Sequence, residues 1–173
     1  MPKLIHKLIA RLWRALTHWP DGTGWRFALL VGLVTLAPIA VIGWAGGLFQ
    51  PRADTTGLPL RLVSAFFVPA LGEEALFRGV LVPDRSETAR PLPALAPSTA
   101  IFTAWHVAET LVLKHAAPVF LRLDFLACAA ILGAGCAVMR WRTGSLWPAV
   151  VLHWSAVVVW QTWLGGPSVA SLR

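Results

Sequence analysis

The chain has no tyrosine, two cysteines, two methionines and only eight acidic residues among 173. Each scarcity excludes something. Cys128 and Cys136 fall in one apolar segment. On a single helix their Cα atoms would stand about 12 Å apart, too far for a disulfide. With no other thiol in the sequence they form no metal cluster and read as small buried hydrophobes. Charged residues make up 13% of the chain against 57% hydrophobic, and mean hydropathy is +0.66. That composition lies far from the soluble globular norm and close to a polytopic membrane protein. A chain this short has room for one compact bundle and no second soluble domain. The net charge of +7 raises the question of nucleic acid. The basic residues mostly flank apolar segments, however, where they set topology and meet lipid headgroups, so a nucleic-acid partner is excluded. Ten tryptophans stand where tyrosine is missing, enough for indole belts at both membrane interfaces.

At the N-terminus, Leu4, Ile5, Leu8, Ile9, Leu12, Trp13 and Leu16 share one helical face. Lys3, Lys7, Arg11 and Arg14 share the other. Residues 1–20 therefore predict an amphipathic helix lying in the headgroup plane, drawn to the lipid bilayer by its basic face. A turn at Asp21-Gly22-Thr23-Gly24 leads into a membrane domain over residues 25–165. Its first span runs from Trp25 to about Phe49, followed by a polar loop to Gly57. Pro59 suits an early helical position, and the second span covers about Leu60 to Val82. Pro69 predicts a kink one turn before Glu73. Irregular backbone is tolerated inside a membrane where it faces protein or water, so kink and carboxylate support one another.

The Pro-rich stretch from Pro83 to Pro97 reads as a loop, with Ser98 capping a third helix to about Leu113. Lys114 to Arg122 connects to a fourth span, about Leu123 to Val138, lined by Ala127, Ala130, Gly133 and Gly135 for close packing. Ser145 caps a fifth span ending near Gly165. The expected fold is all-α, a polytopic transmembrane bundle of about five spans with an interfacial N-terminal helix. Lys3, Lys7, Arg11, Arg14, Arg26, Arg85, Arg90, Arg140 and Arg142 fall on one side, and Arg52, Arg61, Lys114, Arg122 and Arg173 on the other. The positive-inside rule then puts the N-terminus in the cytoplasm. Arginine-rich, lysine-poor usage points to a bacterium, hence an inner membrane.

Inside this apolar chain stands Gly72-Glu73-Glu74-Ala75-Leu76-Phe77-Arg78-Gly79. A charge near the bilayer centre costs roughly 2.5–3.5 kcal/mol on insertion scales, so it is usually there for function. Glu74 and Arg78 are spaced i,i+4 with the acid first, the favourable order for a pair. Glu73 points elsewhere, about 100° around the helix, and is the candidate general base. His106 and His153 lie in two later apolar segments. Alone, each reads as a packed, hydrogen-bonded residue; with an acid pair in a third helix, they suggest a site. Glu73 with His106 would deprotonate a water, and His153 would stabilise an oxyanion. Phe102 shares the face of His106 one turn back, and Glu109 lies one turn beyond as a supporting acid. A zinc site of Glu73, His106 and His153 is a formal alternative. No His-Glu-x-x-His, Gly-x-Ser-x-Gly or phosphate-loop motif occurs.

The ordered set resembles the CAAX-protease and bacteriocin-processing family, also called the Abi family of glutamic intramembrane proteases. Its pattern is Glu-Glu-x-x-x-Arg, then Phe-x-x-x-His, then His-x-x-x-Asn. Glu73 to Arg78 matches the first, Phe102 to His106 the second, and His153 begins the third. Thr143-Gly144-Ser145-Leu146-Trp147-Pro148 resembles the lead into the family's last helix. The resemblance covers about residues 60–163. It implies a catalytic chamber within a helical bundle, no cofactor and no obligate metal. It also implies Glu73 and His106 as water activators, His153 as oxyanion donor, and a membrane-bound protein or peptide substrate. The asparagine position is Val157, which donates no hydrogen bond; a backbone group or Trp154 is the candidate substitute. The short chain and its ending resemble compact bacterial members linked to C-terminal sorting signals of the JDVT-CTERM kind. The alternative reading is a non-catalytic member of the same fold, acting in binding or bacteriocin immunity.

Overall fold

The computed structural model describes residues 2–112 and 118–167. Leu113 at the expected end of the third helix, and Lys114 and Arg173 in the charge count, lie outside the described residues. The described chain is all-helical: α1 (Pro2–Thr17), α2 (Gly22–Ala45), α3 (Leu58–Ala65), α4 (Leu92–Val112), α5 (Leu123–Thr143) and α6 (Trp147–Trp163). A π-helical stretch, Phe66–Glu73 and Ala75–Val80, continues α3, and a 3₁₀ turn covers Pro118–Leu121. Two helices are long and apolar enough to cross a membrane by themselves: α2, with mean hydropathy 2.3, and α5, with 1.7. On α2 the large residues Leu29, Leu30, Leu33, Val34 and Val41 are exposed, as a lipid-facing wall requires. The 17 residues of α6 span about 25 Å, short of a 30 Å hydrocarbon core.

At the centre, α5 packs against α2, α4 and α6. Its small residues set those distances. A Cβ on Gly135 would stand 2.3 Å from Thr35 Oγ1 of α2, so only glycine permits this approach. Cys128 and Cys136 are free and buried on the same helix, as their spacing predicts.

Four local expectations change. Asp21-Gly22-Thr23-Gly24 is the capped start of α2, since Asp21 Oδ1 accepts from the Gly24 N–H at 2.7 Å. That helix stops at Ala45, where Gly46 and a left-handed Gly47 (φ 71°) turn the chain and Phe49 N–H folds back to Gly43 O at 2.9 Å. Next, α4 begins at Leu92, with Pro93 and Pro97 inside its first turns. Proline is tolerated at position 93 because an N–H there would have no intrahelical partner, and Pro97, a turn further in, forgoes one helical hydrogen bond, so the Pro-rich stretch hid a helix. Ser98 is consequently not a cap. Its hydroxyl, buried, donates to Phe77 O at 2.8 Å and ties α4 to the π-helical stretch. Finally, Pro69 widens the helix instead of only bending it. Proline removes one N–H and crowds the carbonyl four residues back, and a run of i→i+5 bonds absorbs the misfit.

The N-terminal helix is only half lipid-facing. Leu4, Ile5, Ile9 and Trp13 are exposed, while Ala15 and, against expectation, Arg11 are buried. Arg11 Nη1 donates to Val80 O at 2.8 Å, at the end of the π-helical stretch, and its Nε and Nη2 donate to Glu87 at 3.0 and 2.9 Å. Burial alone would raise the Glu87 pKa, but the hydrogen bond and charge of Arg11 hold it below the usual glutamate value. Leu146 N–H meets Ala15 O at 2.8 Å, and the Trp147 indole donates to Leu16 O at 2.9 Å. Thus α1 buttresses both the acidic helix and the start of α6.

Candidate active site

The π-helical stretch brings Glu73, Glu74 and Arg78 to the middle of the bundle, and π-bulges recur at functional sites. Glu74 is fully buried. Its Oε1 accepts from Arg78 Nη1 at 3.1 Å and from His153 Nδ1 at 2.9 Å. The i,i+4 pairing read from the sequence is present, and His153 joins it from α6. The Cys136 thiol of α5 is fully buried and donates to Ala149 O of α6 at 3.6 Å.

Glu73 differs. Its side chain is 15% exposed, against none of Glu74, although Oε2 itself is buried with no hydrogen bond. That oxygen faces His153 Nε2 at 4.0 Å. His153 therefore bridges the two carboxylates, one at each ring nitrogen. The Glu109 carboxylate on α4 is near enough to bear on Glu73 electrostatically.

His106 is buried and oriented by its own helix. Its Nδ1 contacts Phe102 O at 2.9 Å; a carbonyl only accepts, so the proton is assigned to Nδ1 and Nε2 keeps its lone pair. No hydrogen bond joins His106 to Glu73 or to Glu109 among the described residues. The link between the two histidines is Phe102. Its ring meets His106 edge-on at 4.8 Å and His153 at 5.8 Å between centroids.

Phe102 has a further task. The Arg78 guanidinium lies over its ring, Cζ 4.0 Å from the centroid, a cation–π contact suited to a desolvated arginine with two nitrogens lacking other partners. The space for this stack comes from Gly133 on α5. A Cβ there would stand 2.7 Å from Arg78 Nη2 and 2.9 Å from Phe102 Cδ1. Gly133→Ala is expected to cost about 1–3 kcal/mol by overpacking and to lower activity further by shifting Arg78. Melting of the purified variant in detergent, beside Ala130→Gly as a control on the same helix, measures it.

Sequence reasoning read Gly133 and Cys136 as packing residues only and missed the Phe102–Arg78 stack. A glycine among small residues signals close packing but not which partner approaches. At the position of the family asparagine stands half-buried Val157. Trp154 is no substitute, since its indole N–H already donates to Leu62 O at 2.9 Å. The unpartnered buried donor on α6 is Trp160 Nε1. Trp160 lies two turns beyond His153 on the same face, its ring 5.5 Å from Phe125, which in turn packs 5.3 Å from His106. Among the described residues no group of three metal-ligand side chains converges. The zinc alternative has no geometric support there.

No curated protein and no solved structure matches the chain. A family model does: residues 55–159 match the type II CAAX prenyl endopeptidase Rce1-like family, a stretch holding Glu73, Glu74, Arg78, Phe102, His106, Gly133 and His153. With well over half its length matched, α3 through most of α6, the chain belongs to the Rce1-like family of CAAX proteases.

Proposed function

We propose that the chain is a glutamic-type intramembrane endopeptidase that hydrolyses a peptide bond near a membrane-associated C-terminal tail. The observation that carries this reading is the asymmetry of the two acids. Glu74 is spent on Arg78 and His153, whereas Glu73 keeps an open edge and an oxygen without a hydrogen bond. A buried acid with spare capacity beside an imidazole is equipped to take a proton from water. Glu73 accepts that proton while the Nε2 lone pair of His106 orients the same water, and the water oxygen attacks the scissile carbonyl. The proton then passes from Glu73 to the leaving amine. His153 already donates Nδ1–H to Glu74; in its imidazolium form it carries a second proton, on Nε2, for the oxyanion. Arg78 and Phe102 hold this arrangement, and Glu109 adds negative charge at the Glu73 side.

A second oxyanion donor is missing where Val157 stands one turn beyond His153. Val157→Asn supplies an amide there, so turnover should rise about 10-fold or more with little change in KM or melting, read as initial rates of terminus formation.

The substrate is a membrane-bound protein or peptide, and the chain resides in a bacterial inner membrane with its N-terminus in the cytoplasm. Sorting tails of the JDVT-CTERM kind are the proposed substrate class. The test is mass spectrometry of terminal peptides from host membranes, wild type against Glu73→Gln at matched levels. Termini present only with wild type establish proteolysis and name the substrate. Identical termini would instead favour a non-catalytic binding or immunity protein.

A further inference from the structure

A cavity of about 530 Å³ opens beside α1, at the end of the bundle where α5 turns into α6. Arg14, His18, Asp84, Arg85, Trp141 and Arg142 stand in its wall. Most of the negative charge nearby is already committed. Asp84 Oδ1 accepts from the Ser86 N–H at 2.8 Å and from the Ser86 hydroxyl, and its Oδ2 lies 3.9 Å from Arg140. Glu87 is held by Arg11 and Arg14 at 2.9 and 3.2 Å. Around the cavity, then, stand five guanidinium groups, those of Arg11, Arg14, Arg85, Arg140 and Arg142, against two carboxylates.

The surplus is three positive charges. The simplest account of basic residues here is the C-terminus of α5, whose macrodipole amounts to about half a negative charge. One arginine offsets that, and two or more remain. Arg140 sharpens the point: it is fully buried, and its Nε, Nη1 and Nη2 have no hydrogen-bond partner. Arg85 and Arg142 have no carboxylate partner among the described residues. Each rests on an aromatic ring, Arg85 over Trp141 at 5.5 Å and Arg142 over Phe27 at 5.6 Å. Those rings restrict the two side chains without neutralising them.

The depth of the cavity is marked by indoles. Trp19 packs with Trp25 at 5.6 Å and with Trp147 at 5.9 Å. His18 and Arg142 also line a neighbouring cavity that Trp19 and Phe27 share. Clustered tryptophans settle at headgroup level, and so does the exposed apolar face of α1. A site at that level meets lipid phosphate at far higher local concentration than any soluble anion.

We propose that this cavity binds the phosphate of an anionic phospholipid headgroup, with Arg85 and Arg142 as its principal ligands. The site stands apart from the catalytic chamber and does not depend on the protease reading. Bound lipid would pin α1 against the π-helical stretch that Arg11 already holds.

The test uses the full chain in a neutral, phosphate-free detergent, reading the melting temperature against added lipid. Probes are dihexanoyl phosphatidylglycerol, dihexanoyl phosphatidylcholine and inorganic phosphate. Phosphatidylglycerol should raise the melting temperature saturably, and Arg85→Gln/Arg142→Gln should weaken its apparent affinity at least about 10-fold. Arg142→Gln alone serves if the double variant does not fold. An unchanged response in the variants, or an equal response to phosphatidylcholine, overturns the site. If inorganic phosphate stabilises as well as the lipid at equal concentration, the cavity takes free phosphate and the lipid assignment is overturned.

Discussion

Glu73→Gln is expected to lower peptide-bond turnover by about 10²–10⁴-fold while leaving the protein folded and its melting temperature close to wild type. The two halves of that expectation rest on different observations. Activity falls because an amide cannot take the proton of water, which is the whole role assigned to Glu73. Folding survives because Glu73 makes no hydrogen bond at Oε2 and meets His153 only at 4.0 Å, so little structure depends on its charge. Removing a buried, weakly paired acid relieves a desolvation cost. The matched comparison is His153→Ala, which should also suppress turnover but destabilise as well, because it strips Glu74 of a 2.9 Å hydrogen bond. His106→Ala should fall between, losing water orientation, the hydrogen bond to Phe102 O and ring contacts with Phe102, Phe120 and Phe125, but stranding no buried charge. Initial rates of terminus formation in isolated membranes, beside detergent melts, separate these outcomes. A Glu73→Gln protein that still generates the wild-type termini would overturn the assignment of the base.

How much of this was legible in the sequence follows from the range of each interaction. The Glu74–Arg78 pair is local, and its i,i+4 spacing announced it. So was the Phe102–His106 relation, one turn apart on one helix. Pro69 announced irregular backbone, but not its form, since a missing N–H is compatible with a kink or with a widened helix. The span boundaries failed where proline carries two meanings. At Pro93 and Pro97 it sits in the opening turns of α4, and composition alone cannot separate that from a loop. The contacts that assemble the site are long-range, and periodicity is silent about them. Nothing in the sequence says that His153 reaches Glu74 rather than Glu73, that Arg78 lies on Phe102, or that Arg11 turns inward to Val80. Charge pattern put Arg11 on the basic, headgroup-facing side of α1, and tertiary hydrogen bonding overrode it.

Arg78→Met is expected to remove most of the folded protein. The side chain is fully buried, donates to Glu74 at 3.1 Å and covers the face of Phe102. Methionine fills similar volume, so the loss isolates charge and hydrogen bonding from packing. Breaking a buried pair by removing one partner costs about 3–5 kcal/mol, because the remaining charge is stranded in low dielectric. Whole domains are stable by only about 5–15 kcal/mol, so that loss alone brings the bundle close to unfolding. The yield of monodisperse protein and its melting temperature in detergent report it. Glu74→Gln combined with Arg78→Met removes both charges and keeps an acceptor for the Nδ1–H of His153. The double variant should recover part of the stability lost in the single one, a coupling of about 0.5–3 kcal/mol in a double-mutant cycle. It should nonetheless stay slow, because the guanidinium that braces the Phe102 ring between the two histidines is gone. Recovery of fold without recovery of turnover would show that the ion pair both stabilises the π-helical stretch and positions the site. A single variant as stable as wild type would show instead that Glu74 needs only His153 and that the Arg78 pair contributes little stability.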